Sequence, residues 1–114
     1  MLYKIVKKIL SFFPFLNKED YLKNVVEKDI LKMEDLITFF KSEDIMENLK
    51  SDANILAVST ISKDRDYYKI ICTLYNNEKK EVLIDDNLSV MFKSKDIDDD
   101  LKKAFSDKDM IVFK

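Results

Sequence analysis

The chain has 114 residues, with no glycine, no histidine and a single cysteine, Cys72. At an average usage of about 7% glycine, a chain of this length would carry about eight. Phosphate-binding glycine loops and dinucleotide-binding fingerprints are excluded, because both need backbone conformations that only glycine adopts at low cost. An imidazole general base and a histidine zinc ligand are excluded as well. We therefore expect a non-catalytic protein that needs no cofactor.

The net charge and the cysteine content limit which partners and which cellular compartment are expected. The net charge is −2, and Arg65 is the one arginine among 20 basic residues. Nucleic-acid binding needs a concentrated cationic surface and favours arginine, so the composition disfavours it. A lone cysteine cannot form an internal disulfide, and a cytoplasmic location is expected. The abundance of lysine, isoleucine, asparagine and aspartate indicates a low-GC genome.

The length and the periodicity of apolar residues predict one α+β domain over residues 1–114. N-terminal helices should pack on a mainly antiparallel sheet of four or five strands, followed by a late helix and a C-terminal strand. The predicted segments are an amphipathic helical arm at 1–16, helices at 17–50, a β-meander at 55–93, a helix at 96–107 and a strand at 109–114.

The N-terminal arm supports two interpretations. Residues 2–13 follow a helical period, with aliphatic side chains on one face and lysines on the other, and Pro14 ends that helix. The apolar run is too short to span a bilayer and has no signal-peptide cleavage site. Such a helix can lie on the inner, anionic surface of a membrane, or it can pack on the chain's own sheet. The membrane-binding residues under the first interpretation are Lys4, Lys7, Lys8, Phe12, Phe13 and Phe15.

Residues 17–50 are predicted to form two helices. Asn17 stands where it can cap a helix over about 18–41, in which apolar residues recur at steps of three and four from Leu22 to Phe40. Ser42 is expected to cap a shorter helix that ends at Lys50.

The period changes after residue 54. Alternating, β-branched and aromatic residues predict four strands, at 55–62, 67–75, 80–85 and 88–93. Asn76 and Asn77 are predicted to form a tight turn, because asparagine tolerates positive φ better than other non-glycine residues. Asp96 is expected to cap the late helix. The apolar run 110–113 is typical of an inner strand.

A surface for a partner protein is predicted on the strand 67–75. Alternation places Tyr67, Lys69 and Tyr75 on the face opposite Cys72, whose thiol should be buried and inert. Exposed tyrosines are favoured anchors at protein interfaces, unless a helix covers this face. Acidic residues near the late helix would form a rim that steers a partner. The predicted partner-binding residues are Tyr67, Lys69, Tyr75, Asp96, Asp98, Asp99 and Asp100.

The acidic stretch also has part of the spacing of a calcium-binding loop. Its matching residues are Asp96, Asp98, Asp100 and Asp107. Leu101 stands where that loop needs glycine, and the last ligand is aspartate instead of a bidentate glutamate. Helix capping explains the same residues, so no metal site is predicted.

The predicted order of helix, three strands, helix and strand resembles the core of the PD-(D/E)xK nucleases. Glu78-Lys79-Lys80 supplies an E-x-K triplet close to the third strand. The resemblance implies two carboxylates and a lysine that hold magnesium and position water. The strand 67–75 has no acid where the family places its metal ligand, and the nearest carboxylates are Asp64 and Asp66.

Three functional hypotheses follow. The leading one is a small non-catalytic protein that binds another protein, as a stoichiometric inhibitor, immunity protein or anti-defence factor of a low-GC bacterium, phage or mobile element. The first alternative is a peripheral membrane module anchored by residues 1–16. The second alternative is a degenerate metal-dependent nuclease of the PD-(D/E)xK type.

Overall fold

The structure is a computed structural model that describes residues 3–5, 24–83, 87–106, 108 and 110–113. These residues form seven strands and three helices, which confirms the predicted α+β class. The strands are β1 (Tyr3–Ile5), β2 (Val25–Leu31), β3 (Ile55–Asp64), β4 (Tyr67–Asn76), β5 (Glu81–Val82), β6 (Val90–Ile97) and β7 (Met110–Phe113). The helices are α1 (Met33–Phe40), α2 (Glu43–Ser51) and α3 (Asp99–Phe105).

The strands make one mixed sheet in the order β1-β7-β3-β4-β6-β2, and the short β5 pairs with β4 beyond the end of β6. β2 pairs with β6 in parallel, whereas the other neighbouring strands are antiparallel. The sheet is therefore larger than the predicted four or five strands, and β1 and β2 lie at its two opposite edges.

One face of the sheet, the first face, carries the three helices. Leu36 and Phe40 of α1, Ile45 of α2 and Leu101 of α3 are fully buried against it. The ring of Phe40 packs on that of Phe113 in β7, with centroids 4.8 Å apart. The strand residues beneath the helices include Ala57, Ile70, Cys72, Leu74, Val90, Phe92 and Ile111.

The opposite face, the second face, carries a separate apolar cluster. Each of its buried members lies in a strand and is at most 6% exposed. Alternation along the strands separates these side chains from those under the helices. This second-face cluster consists of Val58, Ile71, Tyr75, Val82, Met91, Met110 and Val112, with half-buried Leu56 beside it.

The predicted helix over 18–41 is wrong at residues 25–31, which form β2, and α1 begins at Met33. The apolar steps of three and four fitted a helix, but Val25, Val26 and Ile30 are β-branched and favour an extended backbone. β2 gains a parallel ladder on β6, a pairing between distant parts of the chain that a local period cannot reveal. Tertiary pairing therefore overrode the helical period.

The predicted helix over residues 2–13 is also wrong where the structure describes it. Tyr3–Ile5 form the strand β1, which pairs antiparallel with β7 and places Lys4 opposite Val112. Lys7, Lys8, Phe12, Phe13 and Phe15 lie outside the described residues, as does the remainder of the predicted arm.

The other predicted elements lie close to their expected positions. α2, β3, β4 and β7 match, and β7 is an inner strand between β1 and β3. β5 covers the start of the predicted strand 80–85, of which residues 84 and 85 lie outside the described part of the chain. β6 continues to Ile97, four residues past the predicted end at 93, and α3 follows it directly.

Asparagine does not replace glycine at the positions of positive φ. Within the described residues these positions are Arg65 (φ 37°), Lys80 (58°) and Ser106 (49°). Asn76 instead uses its side chain, because its Oδ1 accepts hydrogen bonds from the N–H groups of Glu78 and Lys79, both at 3.0 Å. This side-chain turn shapes the β4–β5 connection.

Candidate functional site

The second face is polar where β2, β4 and β6 extend beyond the apolar cluster. Lys69 of β4 pairs with Lys93 of β6, and Lys93 in turn pairs with Glu27 of β2. Paired residues project on the same side of a sheet, so these three side chains form a row. We name this region the tyrosine–lysine patch, and it consists of Glu27, Asp29, Tyr67, Lys69, Lys93 and Lys95.

Tyr67 lies at the centre of the patch. Its ring is half-buried, and the Lys93 Nζ lies 5.5 Å from the ring centroid, within the range of a cation–π contact. Lys95 Nζ lies 3.8 Å from Asp29 Oδ1, and both side chains are largely exposed. Exposed pairs of this kind contribute little stability, so the charges remain available to contact another molecule.

The patch forms one wall of an open cleft of about 520 Å³. The cleft is lined by three acidic residues, three lysines, one tyrosine and one serine: Glu27, Lys28, Asp29, Asp66, Tyr67, Lys93, Ser94 and Lys95. Its charges of opposite sign balance. Such a surface is complementary to a protein surface of mixed charge, whereas a polyanion requires an excess of cations.

Within the patch, Lys69 and Lys93 face each other directly across β4 and β6. Like charges in this position are destabilising by up to about 1 kcal/mol. Glu27 of β2 pairs with Lys93 on its other side, so the row also contains one acidic residue.

β2 forms the edge of the sheet beside the patch. Val25 is 43% exposed and Ile30 is 53% exposed, and no other large apolar side chains of the described residues are this exposed. Backbone groups on the free side of an edge strand are able to pair with a strand of another chain. Ser94 fixes this edge, since its Oγ accepts the Leu31 N–H at 3.0 Å.

Tyr75 was predicted to contact a partner, but the structure buries its side chain completely. It belongs to the second-face cluster, and its burial raises the pKa of its hydroxyl above the ordinary value. Tyr67 and Lys69 share its face, as predicted, but they lie at the polar end of the strand. Alternation identified the face correctly, but it could not show which end of the face is covered.

The predicted acidic rim divides into structural and exposed residues. Asp98, not Asp96, caps α3: its Oδ1 accepts the Leu101 N–H at 2.9 Å. Both oxygens of the same carboxylate also lie 3.3 Å from the backbone N of Met33, the first residue of α1. Asp98 therefore joins two helix starts and has a structural role.

The remaining rim residues are accessible. Asp96 belongs to β6, and its carboxylate lies 3.7 Å from Lys102 Nζ. Asp99 and Asp100 are exposed in the first turn of α3, where they complement the helix dipole.

The residues on which the resemblance to the nucleases depends lie far from one another. Glu78 is in the β4–β5 turn, where its Oε2 accepts a hydrogen bond from Asn54 Nδ2 at 3.1 Å. Asp66 is in the β3–β4 turn, at the opposite end of the ten-residue β4. A strand of that length separates its ends by about 30 Å, so these carboxylates cannot share one metal ion. Among the described residues, no group of three acidic or cysteine side chains could hold a metal.

Cys72 is buried on the first face, as predicted. Its Sγ lies 3.1 Å from Ser59 Oγ, and burial raises the thiol pKa to about 12 although the Ser59 hydrogen bond lowers it. The thiolate is the nucleophilic form, so this cysteine is unreactive at neutral pH.

Sequence reasoning missed Glu27, Asp29, Lys93 and Lys95 of the patch. The first two lie in β2, which was predicted to be helical, and the other two become neighbours of Tyr67 only through strand pairing. The β-branched residues Val25, Val26 and Ile30 were the available signal for an extended segment.

In the described part of the chain, no helix is long and apolar enough to cross a membrane. Searches against protein-family models, curated proteins and solved structures give no match. The interpretation of the candidate site therefore depends on the chemistry and the geometry of its residues.

Proposed function

We propose that this protein is a small, non-catalytic protein that binds another protein through the tyrosine–lysine patch and the neighbouring edge of β2. A stoichiometric inhibitor, immunity protein or anti-defence factor of a low-GC bacterium, phage or mobile element is the class that fits, with action in the cytoplasm. Its support in the sequence is the absence of glycine and histidine together with the slightly acidic composition.

One observation carries the proposal: the sheet presents a half-buried tyrosine among balanced charges, next to β2, which pairs with a described strand only on its β6 side. Tyrosine gives a large contact area at a low cost in side-chain entropy, and it is enriched among the residues that dominate binding energy. The charges of Asp29, Lys93 and Lys95 around Tyr67 would select a partner with complementary charges. The partner is therefore expected to be a folded protein with mixed surface charge.

The edge of β2 gives the partner a second means of attachment. An extended segment of the partner that runs along Val25–Leu31 would add a strand to the sheet. Its side chains would then contact Val25 and Ile30, which are exposed at this edge. Backbone pairing would supply affinity, and the patch would supply selectivity.

The proposal is tested with Tyr67→Ala and a matched control, Lys50→Ala, on the exposed side of α2. Proteins captured from a lysate of the native host by the immobilised wild-type chain are identified, and the purified partner is titrated by calorimetry. We expect one partner per chain and a dissociation constant raised about 30-fold by Tyr67→Ala, as for a binding hot spot worth about 2 kcal/mol.

Lys50→Ala should bind as the wild type does, and Tyr67→Phe should keep most of the affinity because it retains the ring. Equal binding by wild type and Tyr67→Ala contradicts the assignment of the patch. If no protein binds at micromolar concentration, the binding function itself is rejected.

A further inference from the structure

A second cleft opens on the first face of the sheet, where β3 ends, β4 begins and α3 packs on both. Its volume is about 340 Å³, within the range of pockets that bind small ligands. The described residues that line it include three lysines and no acidic residue, and we name it the lysine cleft after Lys63, Lys102 and Lys108. The cleft beside the tyrosine–lysine patch instead has equal numbers of acidic residues and lysines.

The remainder of the lining is largely apolar. Ile97 and Phe105 are buried members of the core under the helices, and Ile61 and Tyr68 pack against that core. A small-molecule site typically combines such an apolar surface with a few charged or polar groups that fix the orientation of the ligand. The lysine cleft therefore suits an anion that carries an organic group.

Two of the lysines are positioned by contacts with their neighbours. Lys63 pairs with Tyr68 across β3 and β4, and its Nζ lies 5.2 Å from the centroid of the Tyr68 ring. Lys102 Nζ lies 3.7 Å from the Asp96 carboxylate, and the two side chains are 51% and 56% exposed. Water screens an ion pair this exposed, so the Lys102 ammonium is able to contact a ligand as well.

A tight turn after α3 places the third lysine. The Lys108 N–H donates a hydrogen bond to the Phe105 carbonyl at 2.7 Å, and Ser106 between them has φ 49° and ψ −116°. These angles belong to the first central residue of a type II′ turn. Ser106 and Lys108 both line the cleft, so the turn brings them back toward Lys102.

The charges of the described groups favour a ligand with more than one negative charge. A phosphate monoester carries about −1.5 to −2 at pH 7 and offers three acceptor oxygens, and lysine binds phosphate as a point charge. Two groups oppose an anion here: Asp96, and the C-terminal end of α3 with about half a negative charge. The three lysines together outweigh both.

We propose that the lysine cleft binds a small phosphate monoester. The lysines hold the phosphate, and the apolar part of the lining contacts the organic group. This inference is independent of the partner-binding proposal, because the tyrosine–lysine patch lies on the opposite face of the sheet.

The test is a titration of the full-length chain with phenyl phosphate, followed by amide NMR shifts. We expect saturable shifts at Ile61, Lys63, Tyr68 and Ser106. Inorganic phosphate shares the charge but lacks the ring, and phenol has the ring without the charge. Each should bind about tenfold more weakly than phenyl phosphate, because each loses one of the two kinds of contact.

Three variants assign the charge. Lys63→Gln and Lys102→Gln should each raise the dissociation constant of phenyl phosphate about tenfold, as for the loss of a hydrogen bond to a charged group. Lys103→Gln is the matched control, because Lys103 is exposed on α3 next to Lys102 but does not line the cleft. It should bind as the wild type does. Circular dichroism confirms that all three variants are folded.

Four results would overturn the proposal. One is the absence of saturable shifts below about 10 mM, well above the dissociation constant of a weak specific ligand. Another is an equal loss of affinity in all three variants, which would show a general effect of net charge. The third is a set of shifts confined to the tyrosine–lysine patch. The last is equal affinity for inorganic phosphate and phenyl phosphate, which would show that the apolar lining contacts no ligand.

Discussion

Removing the Asp98 carboxylate should weaken two helix starts at once. The side chain accepts the Leu101 N–H in the first turn of α3, and it also faces the Met33 N–H at the start of α1. In addition, the backbone N–H of Asp98 donates to the Leu31 carbonyl at 2.9 Å, which joins the end of β6 to the end of β2. Asp98→Ala keeps this backbone bond and removes only the side-chain bonds.

The magnitude follows from these two side-chain interactions. The N-cap of α3 is worth about 1 kcal/mol. The longer bond from Met33 to a charged acceptor adds about 1 kcal/mol, because its N–H is left part-buried without that acceptor. Asp98→Ala should therefore lower the free energy of unfolding by about 2 kcal/mol, which is far more than a surface substitution costs.

Urea unfolding monitored by circular dichroism measures this loss. With an m value of about 2 kcal/mol/M, the midpoint should fall by about 1 M. Asp99→Ala is the matched control: its side chain is exposed in the same turn and affects only the helix dipole, by about 0.5 kcal/mol. Asp98→Asn retains an accepting oxygen and should fall between the two. If Asp98→Ala and Asp99→Ala shift the midpoint equally, the double-cap reasoning is refuted.

Three further outcomes are expected. Because burial raises the pKa of Cys72 from 9.0 to about 12, the folded state keeps the thiol proton while the unfolded chain loses it above pH 9. The free energy of unfolding should then fall by up to about 1.4 kcal/mol per pH unit from this thiol, and urea titrations of Cys72→Ala should lack that contribution. Phe40→Ala removes a fully buried ring that packs on Phe113 and should cost about 3–5 kcal/mol in urea unfolding, whereas a loss below about 1 kcal/mol would contradict its place in the core. Ser94→Ala should speed hydrogen exchange at the Leu31 amide, while exchange rates that match the wild type would show that the hydroxyl does not hold β2.

The elements that could be predicted from the sequence are those whose signals are local. β3, β4 and α2 follow from runs of β-branched residues or a short amphipathic period, and the apolar run at 110–113 identified an inner strand. β2 could not be predicted in this way, because its stability comes from pairing with β6. The steps from Leu22 to Phe40 therefore predicted one helix where the chain forms a strand and then a helix.

The candidate site was predicted only in part, for a similar reason. Alternation in β4 correctly placed Tyr67, Lys69 and Tyr75 on one face, but exposure depends on what covers each end of that face. Lys93 joins Tyr67 through strand pairing, which has no local signature. Asp98 was recognised as part of an acidic helix start, but its contact with Met33 depends on the approach of a second helix.

The inner position of β7 determines when the sheet can be completed during synthesis. β7 lies between β1 and β3 in the sheet. Both of these strands are synthesised before β7, and they cannot be joined until residues 110–113 are available. While the ribosome still holds those residues, the edges of β1 and β3 that pair with β7 stay unpaired. Unpaired strand edges can associate with other chains. Nascent chains in which residues 110–113 have not yet left the ribosome should therefore depend on chaperones, whereas chains in which these residues have emerged can close the sheet.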